Sequence, residues 1–311
     1  VCRAEPHAPH HLDIGEIIPD GGHVLIGHMA GVHVEIFTSP HALQQLARLC
    51  AAVVHDHVVE VKSLVGEVYR FPNGMKEQGG NLVWDTDEIF SHVKNGIKCA
   101  LKKYKTIESM SIDTWGVDYM LLNGDTPIKP CYAYRDDRTI KSSEEVHKIV
   151  PFEELYARTG IQYQAFNTVY QLYDDKMNGR LENATDFLMI PEYLEYLLTG
   201  VKVKEYTDAS TGALLNLKTR EFDLELTEKL GLPSKLFKKL SAPGTVVGEF
   251  NPEIAKELGG NIKVVACASH DTASAYEAVD CPLGSVVLSS GTCILSSVTG
   301  VPSEMRNARS A

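Results

Sequence analysis

Apolar, β-favouring segments alternate with amphipathic helical segments along this 311-residue chain, which places it in the α/β class. The pattern is sharpest near the end of the chain. Residues 262–268 predict an apolar strand, residues 270–278 a helix and residues 284–290 a second strand. Ligands of open α/β sheets bind beyond the carboxyl ends of strands, so the strand-to-helix junction at 268–271 is a candidate site.

Earlier segments continue the alternation. Asp85 is placed to cap a helix whose apolar positions recur every four residues. These positions are Ile89, Val93, Ile97 and Leu101. Residues 108–122 are rich in β-favouring types and predict two strands around Trp115-Gly116. Further helices are predicted at 144–150, 152–158, 168–177 and 192–199.

Charge and cysteine usage exclude several classes of function. The formal net charge of −11 argues against nucleic acid as a partner, because phosphate backbones would be repelled. The seven cysteines are odd in number and form no C-x-x-C pair, which argues against a disulfide framework and favours a reducing compartment. No apolar run approaches the ~18 residues of a membrane span, and residues 1–11 show no export signal. We therefore expect a cytoplasmic protein with no membrane partner.

Residue usage changes abruptly at Lys62. Nine of the twelve histidines precede this residue and no lysine does, although lysine is frequent afterwards. This switch predicts that residues 1–62 are an atypical, His-rich segment of different origin; a genuine His-rich lobe is the alternative. A break at 241–244 predicts a second boundary, so that residues 63–250 form one domain and residues 251–311 begin another, which is truncated.

Asp271 is the strongest candidate for a catalytic group. It stands where the apolar strand meets the helix, in the string ASHDTASA at 268–275. A carboxylate in the first helical turn is favoured by the helix dipole and can accept a proton from an attacking hydroxyl. The alternative is that Asp271 is only a helix cap, because aspartate is common in that role.

A second candidate is the string SSGT at 289–292, one strand further on. A strand that breaks at Gly291 exposes successive N–H groups, and Thr292 adds a hydroxyl donor, so the turn can bind an anion. An ordinary hairpin turn is the alternative.

Two further strings combine polar and aromatic residues. In DTWGVD at 113–118, Gly116 between apolar strand halves suggests a close backbone approach to a ligand, and Trp115 offers a flat face to a sugar ring. A bulge with a core Trp explains the same string. YRDDRT at 134–139 predicts either a solvated salt-bridge network or the polar wall of a sugar cleft. No metal site is predicted, because the paired histidines at 10–11 and 55–57 lack further ligands at recognisable spacing.

Five strings, in this order, resemble the FGGY carbohydrate kinases and among them the rhamnulokinases. They are DTWGVD at 113–118, YRDDRT at 134–139, TGIQYQAFNTVYQL at 159–172, ASHDTASA at 268–275 and SSGT at 289–292. The resemblance covers about residues 63–295. It implies a two-domain, actin-like ATPase (ribonuclease H-like) sugar-kinase fold with the second domain truncated.

The resemblance also implies a reaction and a role for each matching residue. The reaction is the ATP-dependent phosphorylation of L-rhamnulose to L-rhamnulose 1-phosphate in L-rhamnose catabolism. Asp271 would accept the proton of the 1-hydroxyl, with His270 and Thr272 holding the sugar and Gly116 contacting it through its backbone.

The implied cofactors are ATP and Mg²⁺. Thr292 and Gly291 would bind the nucleotide phosphates. The expected partners are therefore the sugar and MgATP.

The chain departs from the family pattern in three places. The family opens with a phosphate loop of pattern D-x-G-A-S-S-G-R, whereas residues 13–15 (DIG) are followed here by EIIPD at 16–20, which would repel phosphate. Cys293 stands where the family usually has Trp, and the resemblance fades after Leu295. The missing phosphate loop and the truncated second domain leave a non-catalytic sugar-binding fragment as one alternative. A kinase of another ketose is a second alternative. A structural protein on the same scaffold has only fold analogy in its favour.

Overall fold

The computed structural model describes residues 23–26, 32–37, 64–277, 286–290 and 294–298, with side-chain surroundings from residue 68 to residue 274. Its strands are β1 (His23–Ile26), β2 (Val32–Phe37), β3 (Leu64–Tyr69), β4 (Lys76–Gln78), β5 (Asn81–Trp84), β6 (Ser109–Thr114), β7 (Tyr119–Asn123), β8 (Thr126–Ile128), β9 (Cys131–Tyr132), β10 (Asp186–Met189), β11 (Val246–Glu249), β12 (Lys263–Val265), β13 (Val286–Ser290) and β14 (Ile294–Val298). Its α-helices are α1 (Thr86–Lys103), α2 (Thr139–Ile149), α3 (Phe152–Thr159), α4 (Thr168–Met177), α5 (Ile190–Thr199), α6 (Tyr206–Ala209), α7 (Leu224–Lys229), α8 (Pro252–Leu258) and α9 (Asp271–Glu277). Short 3₁₀ segments cover Ser210–Gly212 and Ser234–Leu236.

A six-stranded mixed sheet, in the order β11-β12-β6-β2-β1-β3, organises the described part of the fold. β12 lies parallel to β6, with Lys263 opposite Ser109 and Val264 opposite Met110. β2 is antiparallel to both β6 and β1, and β3 is parallel to β1. Because β6 and β12 run in the same direction, the segments that follow them emerge at the same edge of the sheet.

Helix α1 contributes its predicted apolar face to the core of this sheet. The Asp85 carboxylate accepts a hydrogen bond from an N–H of the first turn, which confirms the predicted cap. Ile89, Val93 and Ile97 are almost fully buried in a cluster that also contains apolar residues of β6 and β12, and Leu101 packs at its margin. Each large aliphatic side chain buried in this way stabilises the fold by about 1.5–3 kcal/mol.

A second apolar cluster lies among α2, α3, α4 and the antiparallel sheet β10-β7-β8. Val146, Leu155, Leu172 and Phe187 are each at most 2% exposed in it. The cluster fixes α4, whose first residue, Thr168, donates a hydrogen bond to the Val117 carbonyl just beyond β6. The turn after β6 is therefore supported by both cores.

The sequence-based prediction of the α/β class is confirmed. The strand–helix–strand run near the end of the chain is present as β12, α9 and β13, although β12 is shorter than predicted and α9 begins at Asp271. The helix predicted at 144–150 begins earlier, at Thr139, because the Asp136 carboxylate stabilises the preceding turn by accepting from the Arg138 N–H. None of the helices in the described ranges combines the length and apolar character needed to cross a bilayer. The division of the chain at 62 and 250 stays a prediction, and most of residues 1–62 lie outside the described residues.

Candidate functional site

The strand-to-helix junction predicted from the sequence lies directly beside the end of β6. The backbone N–H of Thr114 donates to the Ser269 carbonyl over 2.9 Å, and Thr114 pairs with His270 in a parallel bridge. We refer to residues 268–272 as the base loop, because they contain Asp271, the predicted proton acceptor. This pairing brings the base loop and the turn that contains Gly116 to one edge of the sheet.

Gly116 is a point of close approach between three segments. A Cβ atom added there would lie 2.9 Å from both Oγ1 and Cγ2 of Thr211 and 3.1 Å from Cδ2 of His270. These distances are below ordinary contact, so a side chain at this position displaces its neighbours. The close approach at Gly116 is therefore made by Thr211 and His270. The predicted contact of Gly116 with a sugar stays a prediction.

Asp271 has one oxygen engaged and one available. Its Oδ1 accepts hydrogen bonds from the backbone N–H of Thr272 at 2.6 Å and from Thr272 Oγ1 at 3.1 Å. No described residue donates to its Oδ2, and the side chain is 31% exposed. A half-buried carboxylate with an open acceptor oxygen can take a proton from a bound hydroxyl.

His270 stands between Gly116 and Asp271. Its Nε2 lies 3.6 Å from Asp271 Oδ1, and its side chain is 19% exposed. Burial lowers the pKa of His270, while the carboxylates of Asp271 and Asp113 act in the opposite direction. The imidazole is therefore neutral at neutral pH and can offer a donor or an acceptor to a sugar hydroxyl.

The turn between β6 and β7 is held in an unusual backbone conformation. Val117 has φ of 71°, a left-handed value that costs energy for a β-branched residue. Its N–H donates to Thr211 Oγ1, and its carbonyl accepts from Thr168 Oγ1 and Gln171 Nε2. These side chains fix the turn, and with it the position of Gly116.

Trp115 is a core residue, so its face is not offered to a sugar. It is 9% exposed, and its ring centroid lies 4.2 Å from that of Trp84. Both indole N–H groups donate to Oδ2 of Asp118, at 2.6 Å from Trp84 and 2.9 Å from Trp115. Burial raises the pKa of Asp118 to about 6, although the donated hydrogen bonds act in the opposite direction. The alternative of a core Trp is therefore confirmed.

The string YRDDRT at 134–139 contains a buried ion-pair network rather than the solvated one considered for it, and its role as the wall of a sugar cleft stays a prediction. Arg138 is buried and pairs with Asp174 at 2.7 Å and Asp175 at 3.1 Å, in a network shielded from solvent rather than exposed to it. Other residues of the string line a surface cavity of about 460 Å³ together with Phe166, whose ring packs edge-on against Tyr134 with 5.5 Å between the ring centroids. The next residue, Asn167, donates to the Thr211 carbonyl and so joins this cavity wall to the site.

Sequence reasoning missed the contribution of residues 205–211, whose polar, turn-rich composition predicts no functional role. Thr211 packs against Gly116, and Glu205 binds the base loop through Ser269. A buried glutamate has no local signature, and glutamate is not a preferred helix cap. The sequence feature that comes nearest to indicating this role is the concentration of polar residues at the start of α6, where Glu205, Thr207 and Asp208 lie.

The predicted nucleotide-binding residues Gly291 and Thr292 lie outside the described residues. The strands that flank them, β13 and β14, are antiparallel. No group of three or more His, Cys, Asp or Glu side chains within the described ranges is arranged to hold a metal ion.

Residues 52–276 match the FGGY family of carbohydrate kinases, N-terminal domain. The chain is 42% identical over 243 residues to a rhamnulokinase of Oceanobacillus iheyensis, a match that covers 77% of this chain and 52% of that protein. It is 39% identical over 237 residues to a rhamnulokinase of Bacteroides thetaiotaomicron, covering 75% and 49%. The chain thus spans about half the length of the curated relatives it matches.

Solved sugar-kinase structures share the fold. The xylulose kinase of Rhodospirillum rubrum superposes with a TM-score of 0.66 at 18% identity, over 86% of this chain and 52% of that one. The glycerol kinase of Plasmodium falciparum with ADP superposes with a TM-score of 0.54 at 13% identity, over 79% and 49%. The prediction of an α/β sugar-kinase fold is therefore confirmed.

Proposed function

The chain belongs to the FGGY family of carbohydrate kinases, and we propose that it phosphorylates the 1-hydroxyl of L-rhamnulose with ATP as the phosphate donor. The observation that carries the proposal is the position of Asp271, whose open oxygen stands at the shared edge of β6 and β12 beside His270 and Gly116. The curated relatives named rhamnulokinase, at 37–42% identity, support L-rhamnulose over other ketoses.

Asp271 acts as the general base. Its Oδ2 takes the proton of the sugar 1-hydroxyl while the hydroxyl oxygen forms a bond to the γ-phosphorus of ATP. The bond between that phosphorus and the β–γ bridging oxygen breaks, and ADP leaves with the bonding electrons. Such transfers depend on positioning and charge stabilisation more than on covalent help from the protein. The base contributes about 10²–10⁴ in rate.

The described residues serve the acceptor side of this reaction. Neutral His270 and Thr272 hold sugar hydroxyls beside Asp271, and the backbone at Gly116 closes the site on the opposite side. Mg²⁺, when bound with the nucleotide, neutralises phosphate charge. Gly291 and Thr292 remain our proposal for the phosphate contacts.

Asp271→Asn tests the assignment. Asparagine keeps the shape of the side chain but cannot take the proton. We expect turnover of the full-length protein to fall by about 10²–10⁴ while the dissociation constant for L-rhamnulose changes by less than about threefold. Asp125→Asn is the matched control, because Asp125 is an exposed carboxylate paired with Lys202 and lies outside the site.

Coupled detection of ADP measures turnover, and calorimetry with L-rhamnulose measures binding. Near-normal turnover in Asp271→Asn would refute the base assignment. A preference for D-xylulose over L-rhamnulose in the wild-type protein would refute the substrate. Sugar binding without ADP release by the wild-type protein would favour the non-catalytic alternative.

A further inference from the structure

The Glu205 carboxylate joins the base loop to the start of α6. Its Oε2 accepts from the Ser269 N–H at 3.2 Å and from Ser269 Oγ at 2.6 Å. The same oxygen accepts from Thr207 Oγ1 at 2.5 Å and the Asp208 N–H at 3.1 Å, and Oε1 accepts from the Thr207 N–H at 2.7 Å. Two segments more than sixty residues apart in sequence are therefore tied to one side chain.

All five contacts need an acceptor at Glu205. Three of the donors are backbone N–H groups, which cannot turn round to accept instead. Burial raises the pKa of Glu205, while these hydrogen bonds favour the ionised form and act in the opposite direction. The side chain is 1% exposed, so water does not replace the contacts when they are lost.

The segment that Glu205 begins also reaches the turn after β6. Thr211 donates to the Asp208 carbonyl at 2.7 Å and accepts from the Val117 N–H at 3.1 Å. Its side chain fills the space opposite Gly116. Glu205 thus connects, through α6, the two sides of the proposed sugar site.

We propose that Glu205 is a positioning residue that sets the distance between Asp271 and the turn at Gly116. It touches no substrate and acts through Ser269 on the base loop and through α6 on Thr211. This inference rests on the proposed function, in which Asp271 is the base. Reacting groups must meet within a few tenths of an ångström of the productive geometry, and a displacement of 1 Å can cost about 10² in rate.

Two substitutions of Glu205 separate positioning from charge. Glu205→Ala removes every contact. Glu205→Gln keeps one acceptor oxygen, which can remain on Ser269, but its –NH₂ group is a donor, so the contact with the Thr207 N–H is lost. We expect kcat of the full-length protein to fall about 10²-fold in Glu205→Ala, with KM for L-rhamnulose within about threefold, and Glu205→Gln to recover at least tenfold of that loss.

Asp223→Asn is the matched control for structural damage. Asp223 is a buried capping carboxylate that accepts from the Leu226 N–H at 3.0 Å, and it makes no contact with the base loop. It should lower the melting temperature as the Glu205 variants do, and it should leave kcat within twofold of wild type.

Amide hydrogen exchange supplies a readout independent of turnover. The Ser269 N–H is protected by Glu205, so peptides covering residues 266–272 should exchange at least tenfold faster in Glu205→Ala and at the wild-type rate in Asp223→Asn. Unchanged exchange in that peptide overturns the inference. A kcat within twofold of wild type for Glu205→Ala also overturns it, provided that Asp271→Asn is inactive. If Asp271→Asn keeps its turnover, the proposed function has failed, and the exchange result alone decides whether Glu205 holds the loop.

Discussion

Replacing Gly116 by alanine adds one methyl group where three segments of the site meet. The new Cβ would lie 2.9 Å from Thr211 and 3.1 Å from His270, whereas ordinary contact begins at 3.4 Å. One neighbour must therefore move by about 0.5 Å. Thr211 resists rotation, because its hydroxyl both accepts from the Val117 N–H and donates to the Asp208 carbonyl.

The cost is expected in both stability and turnover. Overpacking of a filled site costs about 1–3 kcal/mol, so the free energy of unfolding should fall by that amount. The turn can relieve the contact with Thr211 only by shifting toward His270, the neighbour of Asp271. Because the shift is about 0.5 Å rather than 1 Å, kcat/KM for L-rhamnulose should fall about tenfold. Urea denaturation followed by tryptophan fluorescence measures the first quantity, and ADP release measures the second.

Two further variants make this prediction refutable. Gly248→Ala adds the same methyl group in β11, where the nearest atom is 3.6 Å away, and should leave stability and turnover unchanged. Combining Gly116→Ala with Thr211→Ala opens the crowded space, so the loss of stability should be smaller than the sum of the two single losses. Additive losses, or equal damage from Gly248→Ala, would refute the steric reasoning.

Two more predictions concern buried charges. Both carboxyl oxygens of Asp208 lack hydrogen-bond partners among the described residues, and burial raises the pKa of this group well above its ordinary 3.8. The Asp208 carboxyl group therefore stays protonated in the folded chain at pH values where it is ionised in the unfolded chain. Its contribution to the free energy of unfolding is complete below pH 3.8 and is lost as the pH rises toward the pKa of the folded state. Between pH 5 and 7 the unfolding free energy of the wild type should fall, relative to Asp208→Asn, by up to about 1.4 kcal/mol per pH unit; parallel urea-denaturation curves would contradict this. Asp175→Asn removes the fully buried partner of Arg138 and Arg180 and should cost about 3–5 kcal/mol in the same assay, whereas Lys148→Ala, in an exposed pair, should leave the urea midpoint unchanged.

Local patterns identified most of the elements that carry the site. The cap at Asp85 and the helix that follows it depend on contacts within one or two turns, so the sequence shows them directly. The two strands on either side of Trp115-Gly116 and the junction before Asp271 were predicted for the same reason. The role of each sequence motif was harder to predict. Trp115, for example, could bind a sugar ring or pack in the core, and only its contact with Trp84 decides between the two.

The sequence by itself determined the α/β class, the apolar face of α1 and the carboxylate at the strand-to-helix junction, because hydrophobic periodicity and capping are local properties. Only the tertiary structure decided that Thr211 fills the space opposite Gly116 and that Glu205 holds Ser269. Those contacts join residues 64 to 95 positions apart, and pairings at such separations are chosen by the packing of the whole sheet and its helices, which no local pattern records.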